Sequence, residues 1–223
     1  MAQQDPIWSC AQTDLVIDDD QGQGHHDVLV WEHSRRVCEV ADWLTRQADV
    51  PKDRVEQDVL LAACLYHDAG WIIQVREGII SRAQMLCGAA NEVQRELAAT
   101  LMEKRLVKLL PAGLLRRAAD CVRYHPRRDC EVPEARILYD ADNLDHVGPL
   151  QLWEIVRRQG LDGKGIEAAI DTWKRKKEYG YFNTRINAFR FESARVRARE
   201  RLKETDHFLA ELARQHRGED LVT

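Results

Sequence analysis

An all-α fold is what this chain predicts, and three observations carry the expectation. No stretch of its 223 residues alternates strongly enough between apolar and polar to read as a strand. Segment after segment instead repeats its apolar residues at helical spacing, with glycine and proline marking the joins. The third is the run Leu60-Leu61-Ala62-Ala63-Cys64-Leu65-Tyr66, free of β-branches, which leads straight into His67-Asp68-Ala69-Gly70. A helix that is apolar on every side is buried on every side. An imidazole and a carboxylate at its end cost several kcal/mol unless hydrogen-bonded, paired or bound to a cation. Neighbouring residues on a helix diverge by about 100°, so both side chains reach one point only near a helix end, which Gly70 is expected to supply. Two readings follow: half of a metal site, or a satisfied core histidine beside a capping aspartate.

Taken in order, residues 1–24 are polar, with acids at Asp18-Asp19-Asp20 and glycines at 22 and 24, and predict a flexible arm with at most a short helix near Trp8. From about His26 to Gln47, Val30, His33, Val37, Val40, Ala41 and Leu44 share one stripe of an amphipathic helix, with His33 in its middle. Pro51 and Asp53 start the next helix, which runs to His67. Gly70, Gly78 and Gly88 suggest that 70–90 is a lid-like connection. A helix over about 90–108 should turn Val93, Leu97 and Leu101 inward, and another over 113–124 should stop at His125-Pro126, because the residue before proline avoids helical angles. Pro133 and Glu134 open a helix to about Val147 that contains Asp140, Asp142 and Asp145. Gly148-Pro149 starts one to about Arg158, a charged helix covers about 165–178, an aromatic turn spans 179–184, and a long helix covers about 186–215. Residues 25–215 read as one domain followed by a short tail over 216–223.

Composition narrows the function classes. With 31% charged residues and a formal net charge of −4, the chain is mildly acidic and lacks the basic excess of a nucleic-acid coat protein. The N-terminal Met-Ala-Gln-Gln-Asp-Pro has neither a positive leader nor an apolar core, so a secretory signal is not expected. No apolar run approaches the ~18 residues of a membrane span. The six cysteines show no Cys-x-x-Cys spacing, and Cys38, Cys64 and Cys121 sit inside helical patterns as small hydrophobes, which suits reduced thiols in a cytoplasmic protein. The basic residues of Lys174-Arg175-Lys176-Lys177 and of Arg195–Arg201 interleave with glutamates, as solvated helix faces do, so nucleic acid is not the expected partner. The tryptophans fall mostly on helical stripes as core or interface anchors, though Trp71, just after the pair, is placed to wall a pocket.

His33, the His67-Asp68 pair and the aspartates of Tyr139–Asp145 come from separate helices in contexts that should be buried. Two imidazoles with two carboxylates suit a borderline divalent ion better than an all-oxygen calcium cage. If Ile137, Ala141 and Leu144 define a core face, Asp142 and Asp145 flank one side and Asp140 the other, so periodicity does not choose between Asp142 and Asp145.

The ordered set His33-Ser-Arg-Arg36-Val37, Leu65-Tyr66-His67-Asp68-Ala69-Gly70 and Asp140-Ala-Asp142-Asn-Leu-Asp145 resembles the HD superfamily of metal-dependent phosphohydrolases, which are all-helical. Phe182-Asn183-Thr184 with the Arg-rich helix after it is similar to the tail of a bacterial subgroup of uncharacterised HD hydrolases, so the resemblance spans about 25–213. It implies an HD-type helical bundle in which His33, His67, Asp68 and Asp142 bind one divalent ion (Mn, Fe, Co, Ni, Zn or Mg), and a small phosphorylated substrate, a nucleotide or related metabolite. Asp68 would then also steer the reactive water, and His125 would donate to the phosphate or leaving group, unless it is a surface-loop histidine. Arg36 would grip a phosphate bidentately or form a structural ion pair. Asp140 and Asp145 would orient the ligand histidines or serve only as helix charges. Arg127 and Arg128 are anion-binding candidates on a loop that otherwise reads as solvated. Two departures stand out: Trp71 follows the glycine where relatives often carry a lysine soon after, and His125 is the only histidine between His67 and Asp142, which favours one metal over two. The alternative function is a non-catalytic binding or regulatory protein that keeps the metal for stability. Self-association into a homo-oligomer is left open.

Overall fold

Helix α3 (Gln57–Tyr66) is the buried run, with Val59, Leu60 and Ala62–Tyr66 all inside. It belongs to a computed structural model that describes residues 5–18, 26–86, 90–127 and 129–221. The chain divides into two compact units, Met1–Ala141 and Asp142–Thr223, where the sequence suggests one domain over 25–215.

The first unit opens on α1 (Pro6–Leu15), started by Asp5, whose carboxylate accepts from Ile7 N at 2.7 Å, and by Pro6 at the first helical position. The short helix expected near Trp8 is present, and in the described part it is packed rather than part of a flexible arm. Ile7, Trp8, Ala11 and Leu15 are buried, Trp8 meets Trp31 edge-on with ring centroids 5.2 Å apart, and Asp14 accepts from Tyr66 Oη (2.7 Å) and Arg105 Nε (2.9 Å). The remainder of the acidic run, Asp19 and Asp20, and Gly22 and Gly24, lie outside the described residues.

A two-residue antiparallel pair, β1 (Ile17–Asp18) and β2 (His26–Asp27), leads into α2 (Leu29–Thr45), whose expected stripe is buried, with Val40 at its edge. A 3₁₀ turn at Lys52–Arg54 precedes α3. After α3 the described part of the lid-like stretch is instead α4 (Ala69–Arg76), with Trp71 and Ile72 buried, and then a 3₁₀ turn at Arg82–Gln84; Gly88 lies outside the described residues. Gly70 does not end a helix; it lies in the first turn of α4, and a Cβ there would stand 2.0 Å from Gln94 O. The missing side chain lets α4 and α5 (Glu92–Leu106) approach backbone to side. That approach sets the face of α5. Gln94, Ala98, Ala99, Met102 and Leu106 point inward, and the expected Val93 is 62% exposed. Gln94 caps its own helix with Asn91 and donates to Gln74 Oε1 at 2.9 Å, so a buried amide is satisfied where an apolar residue was expected.

Helix α6 (Ala112–Tyr124) buries Leu115, Ala118 and Val122 as its pattern predicts and stops at His125-Pro126. Arg123 clasps it to α5 through Glu96 (2.8 Å) and Glu103 (3.2 Å). At the start of α7 (Pro133–Asp145), fully buried Glu134 takes Arg117 at 2.8 Å and Glu56 N at 2.7 Å. The boundary between the units falls within α7, after Ala141.

The second unit continues with α8 (Pro149–Leu161), α9 (Ile166–Glu178), α10 (Tyr181–Ala188) and α11 (Glu192–His216). Leu152, Ile155, Ile170, Trp173, Phe182 and Leu209 form its core, and Trp173 Nε1 donates to Asp206 Oδ1 at 2.9 Å. The aromatic turn is shorter than expected: Gly180, at φ +66°, makes the turn, and Tyr181 to Thr184 already belong to α10. At Gly148, φ is +96° and a Cβ would meet Arg201 Cβ at 2.7 Å, so glycine is required twice over.

Candidate metal centre

His33 stands in the buried stripe of α2 with no exposed surface. The chain turns between α3 and α4 at His67, which closes α3, and Asp68, which begins α4 with φ −108° and ψ 10°. This bend lets two adjacent residues face one point, the task first assigned to Gly70. His67 Nδ1 lies 2.9 Å from Cys64 O. A carbonyl only accepts, so Nδ1 carries the proton and Nε2 presents its lone pair. That Nε2 lies 3.1 Å from His33 Nε2, and Asp68 Oδ2 lies 3.6 Å from His33 Nε2 and 3.8 Å from His67 Nε2. All three residues are buried, Asp68 being 8% exposed.

These distances test the fit to a cation. Ligand bonds of about 2.0–2.2 Å set 90–110° apart place neighbouring donor atoms roughly 2.8–3.6 Å from each other. The His–His separation falls inside that window, the His33–Asp68 separation at its edge and the His67–Asp68 separation just beyond it. Three ligand atoms of the right type, two nitrogens and one oxygen, thus converge within 4.8 Å of one another, and the cluster could hold a metal ion.

His125 repeats the device of His67. It closes α6, its Nδ1 donates to Val122 O at 3.0 Å, and it is 5% exposed, so it is no surface-loop residue. Its ring stands perpendicular to that of His67 with centroids 6.1 Å apart. Arg36 lies one turn beyond His33, half-buried. Arg127 is bound by Asp129 at 3.1 Å and sits 5.5 Å over the Tyr124 ring, on a solvated loop as its flanking residues suggested; Arg128 lies outside the described residues. Trp71 is buried beside the pair, and its indole N–H has no hydrogen-bond partner among the described residues.

Asp140 and Asp145 are fully buried on α7, deeper than Asp142, whose side chain is 20% exposed. Asp142 opens the second unit and pairs with a residue that motif reading passed over. His146 Nε2 lies 3.4 Å from Asp142 Oδ1, and its Nδ1 lies 2.9 Å from Glu154 Oε1. Burial disfavours the charged ring, but Asp142 and Glu154 together hold its pKa well above the ordinary imidazole value. The signal available was the i, i+4 spacing of Asp142 and His146; nothing local pointed to Glu154.

An all-helical protein with a buried His-His-Asp cluster is thereby defined. The model of the HD domain family matches residues 30–146, and the chain belongs to that family. Three solved structures share its fold. Bacillus subtilis YpgQ in complex with ADP is 18% identical over 83% of this chain and 88% of that one, with a TM-score of 0.55. A predicted HD superfamily hydrolase from an uncultured Thermotogales bacterium is 18% identical over 96% and 90%, at 0.53. The Lin1889 protein of Listeria innocua is 15% identical over 95% of each chain, at 0.56. No curated protein matches the sequence. Among the described residues no helix is long and apolar enough to cross a membrane.

Proposed function

We propose that this chain is a metal-dependent phosphohydrolase that cleaves a phosphate ester or anhydride in a nucleotide or a small phosphorylated metabolite. The observation that carries the reading is the buried cluster of His33, His67 and Asp68, with imidazole nitrogens 3.1 Å apart and a carboxylate oxygen beside both. Asp142 is proposed as the fourth ligand on the wording of the Asp-Ala-Asp motif. A divalent ion held there supplies Lewis acidity, which lowers the pKa of a bound water towards neutrality and polarises a phosphate oxygen.

The chain's own groups have separable parts. Cys64 O fixes the tautomer of His67, so its Nε2 is always the ligand nitrogen. Asp68 supplies Oδ2 to the cluster and would orient the water through its carboxylate. His125, with Nδ1 committed to Val122 O, takes up or delivers a proton only at Nε2, which suits a donor to the leaving oxygen. Arg36 would add a bidentate contact to the phosphate. The depth of His33 and His67 keeps bulk water away and strengthens each of these interactions. Support for a phosphorylated ligand comes from YpgQ, whose structure holds ADP.

The test is a panel of nucleotides and phosphomonoesters with Mn²⁺, Co²⁺, Ni²⁺, Zn²⁺ and Mg²⁺. Metal-dependent release of phosphate or pyrophosphate is expected, and it should disappear in His67→Ala and Asp68→Ala while the helical circular dichroism stays. Metal-sensitive melting and ligand binding with no turnover on any substrate would instead favour the non-catalytic alternative.

A further inference from the structure

In the second unit, two cations converge on one aromatic ring with no carboxylate among the described residues to neutralise them. Lys176 Nζ lies 4.0 Å and Arg185 Cζ 5.2 Å from the centroid of the Tyr181 ring. Neither makes an ion pair among the described residues, although the neighbouring Lys177 pairs with Asp206 at 2.7 Å. The basic run on α9 is therefore not one uniform solvated face. Lys177 turns to α11, and Lys176 turns to the start of α10. Beneath them Gln151 is buried, 4% exposed, and its amide lies 3.4 Å from Tyr181 Oη. With that amide oriented so that its nitrogen donates to His146 O at 3.0 Å, its oxygen accepts from Lys176 Nζ at 3.0 Å. Lys176 is thus aimed by a buried acceptor that carries no charge.

Two like charges held over one ring repel each other, and each gains only a modest attraction from the ring face. Burial pushes the Tyr181 phenol up, while the charges of Arg185 and Lys176 pull it down, as a positive local potential does. What such a place lacks is an anion. An ammonium with three donors, a guanidinium with a planar fork and a phenol O–H match the oxygens of phosphate groups, and two separated cations match two linked phosphates better than one carboxylate.

We propose that Lys176, Arg185 and Tyr181 form an anion subsite that takes a pyrophosphate-type group. It needs neither the metal nor the His33–His67–Asp68 cluster. The experiment is calorimetric titration of the full-length chain with inorganic pyrophosphate in EDTA at low salt. Lys176→Met and Arg185→Met should each weaken binding about tenfold, the scale of one lost charge-assisted bond, and Tyr181→Phe less. Lys174→Met, on the same helix, should change little. Affinity should fall as salt rises, and melting of Arg185→Met should not drop, because a repulsive pair has been relieved. The proposal is overturned if the wild-type chain binds no pyrophosphate, if Lys176→Met and Arg185→Met bind as tightly as wild type, or if Lys174→Met weakens binding as much as they do, which would mean undirected surface charge. His67→Ala should leave this titration unchanged, so failure here and failure of the phosphohydrolase reading are told apart.

Discussion

At His67 a single contact decides the chemistry: Cys64 O, 2.9 Å from Nδ1, leaves Nε2 as the only nitrogen that can bind a Lewis acid. Asp68 shares the cluster without sharing that constraint. Asp68→Ala should therefore cut metal-dependent turnover by at least about two orders of magnitude, with the melting of the metal-free protein little changed; phosphate release and thermal melting check both halves. Trp71 gives a second prediction. A made hydrogen bond lost on substitution costs about 1–3 kcal/mol, but the indole N–H of Trp71 has no partner among the described residues. Trp71→Phe should thus lower the urea midpoint of the ligand-free chain only by the packing volume lost, with no added cost of a broken hydrogen bond. At this scale the sequence was informative. His33, His67 and Asp68 could be named because a polar residue in an apolar stripe has to be explained. His146 could not, because its meaning depends on Glu154, brought to it by a turn at Gly148 rather than by helical spacing.

Among the elements, the join of α4 to α5 is the most exacting. Gly70→Ala pits two effects against each other. Alanine favours helix over glycine by about 1 kcal/mol. A Cβ 2.0 Å from Gln94 O must push the two helices apart, at about 1–3 kcal/mol or more. The clash should win because the opposing atom is backbone, and the urea midpoint should fall; a rise would show that α5 can shift freely. The longer helices and most of their boundaries were readable from periodicity and from Gly and Pro, whereas the eight-residue α4 and α10 were not. The inward face of α5 was not, since Val93, Leu97 and Leu101 obey the period as well as Gln94, Ala98 and Met102 do, and only the close approach at Gly70 selects the second set. Likewise α1 looked loose because its anchor, Asp14 bound by Tyr66 and Arg105, lies between residues far apart in sequence.

A metal ion held by the cluster would stabilise the whole chain. A ligand that binds only the folded state at about a hundred times its dissociation constant adds about 2.7 kcal/mol. Titration with Mn²⁺ or Zn²⁺ after EDTA treatment should therefore raise the melting temperature of the wild-type chain but not of Asp68→Ala. The all-helical class was legible from the lack of alternation, whereas the division into two units was not. Its boundary lies inside α7, where no proline, glycine or change of composition marks it.

The most direct measurement is elemental analysis of protein purified without added metal and then equilibrated with a divalent ion, for the wild-type chain and His67→Ala together. About one equivalent in the wild type and almost none in the folded variant is the predicted result. A wild-type chain that retains no metal, or a variant that keeps the full equivalent, would contradict the account.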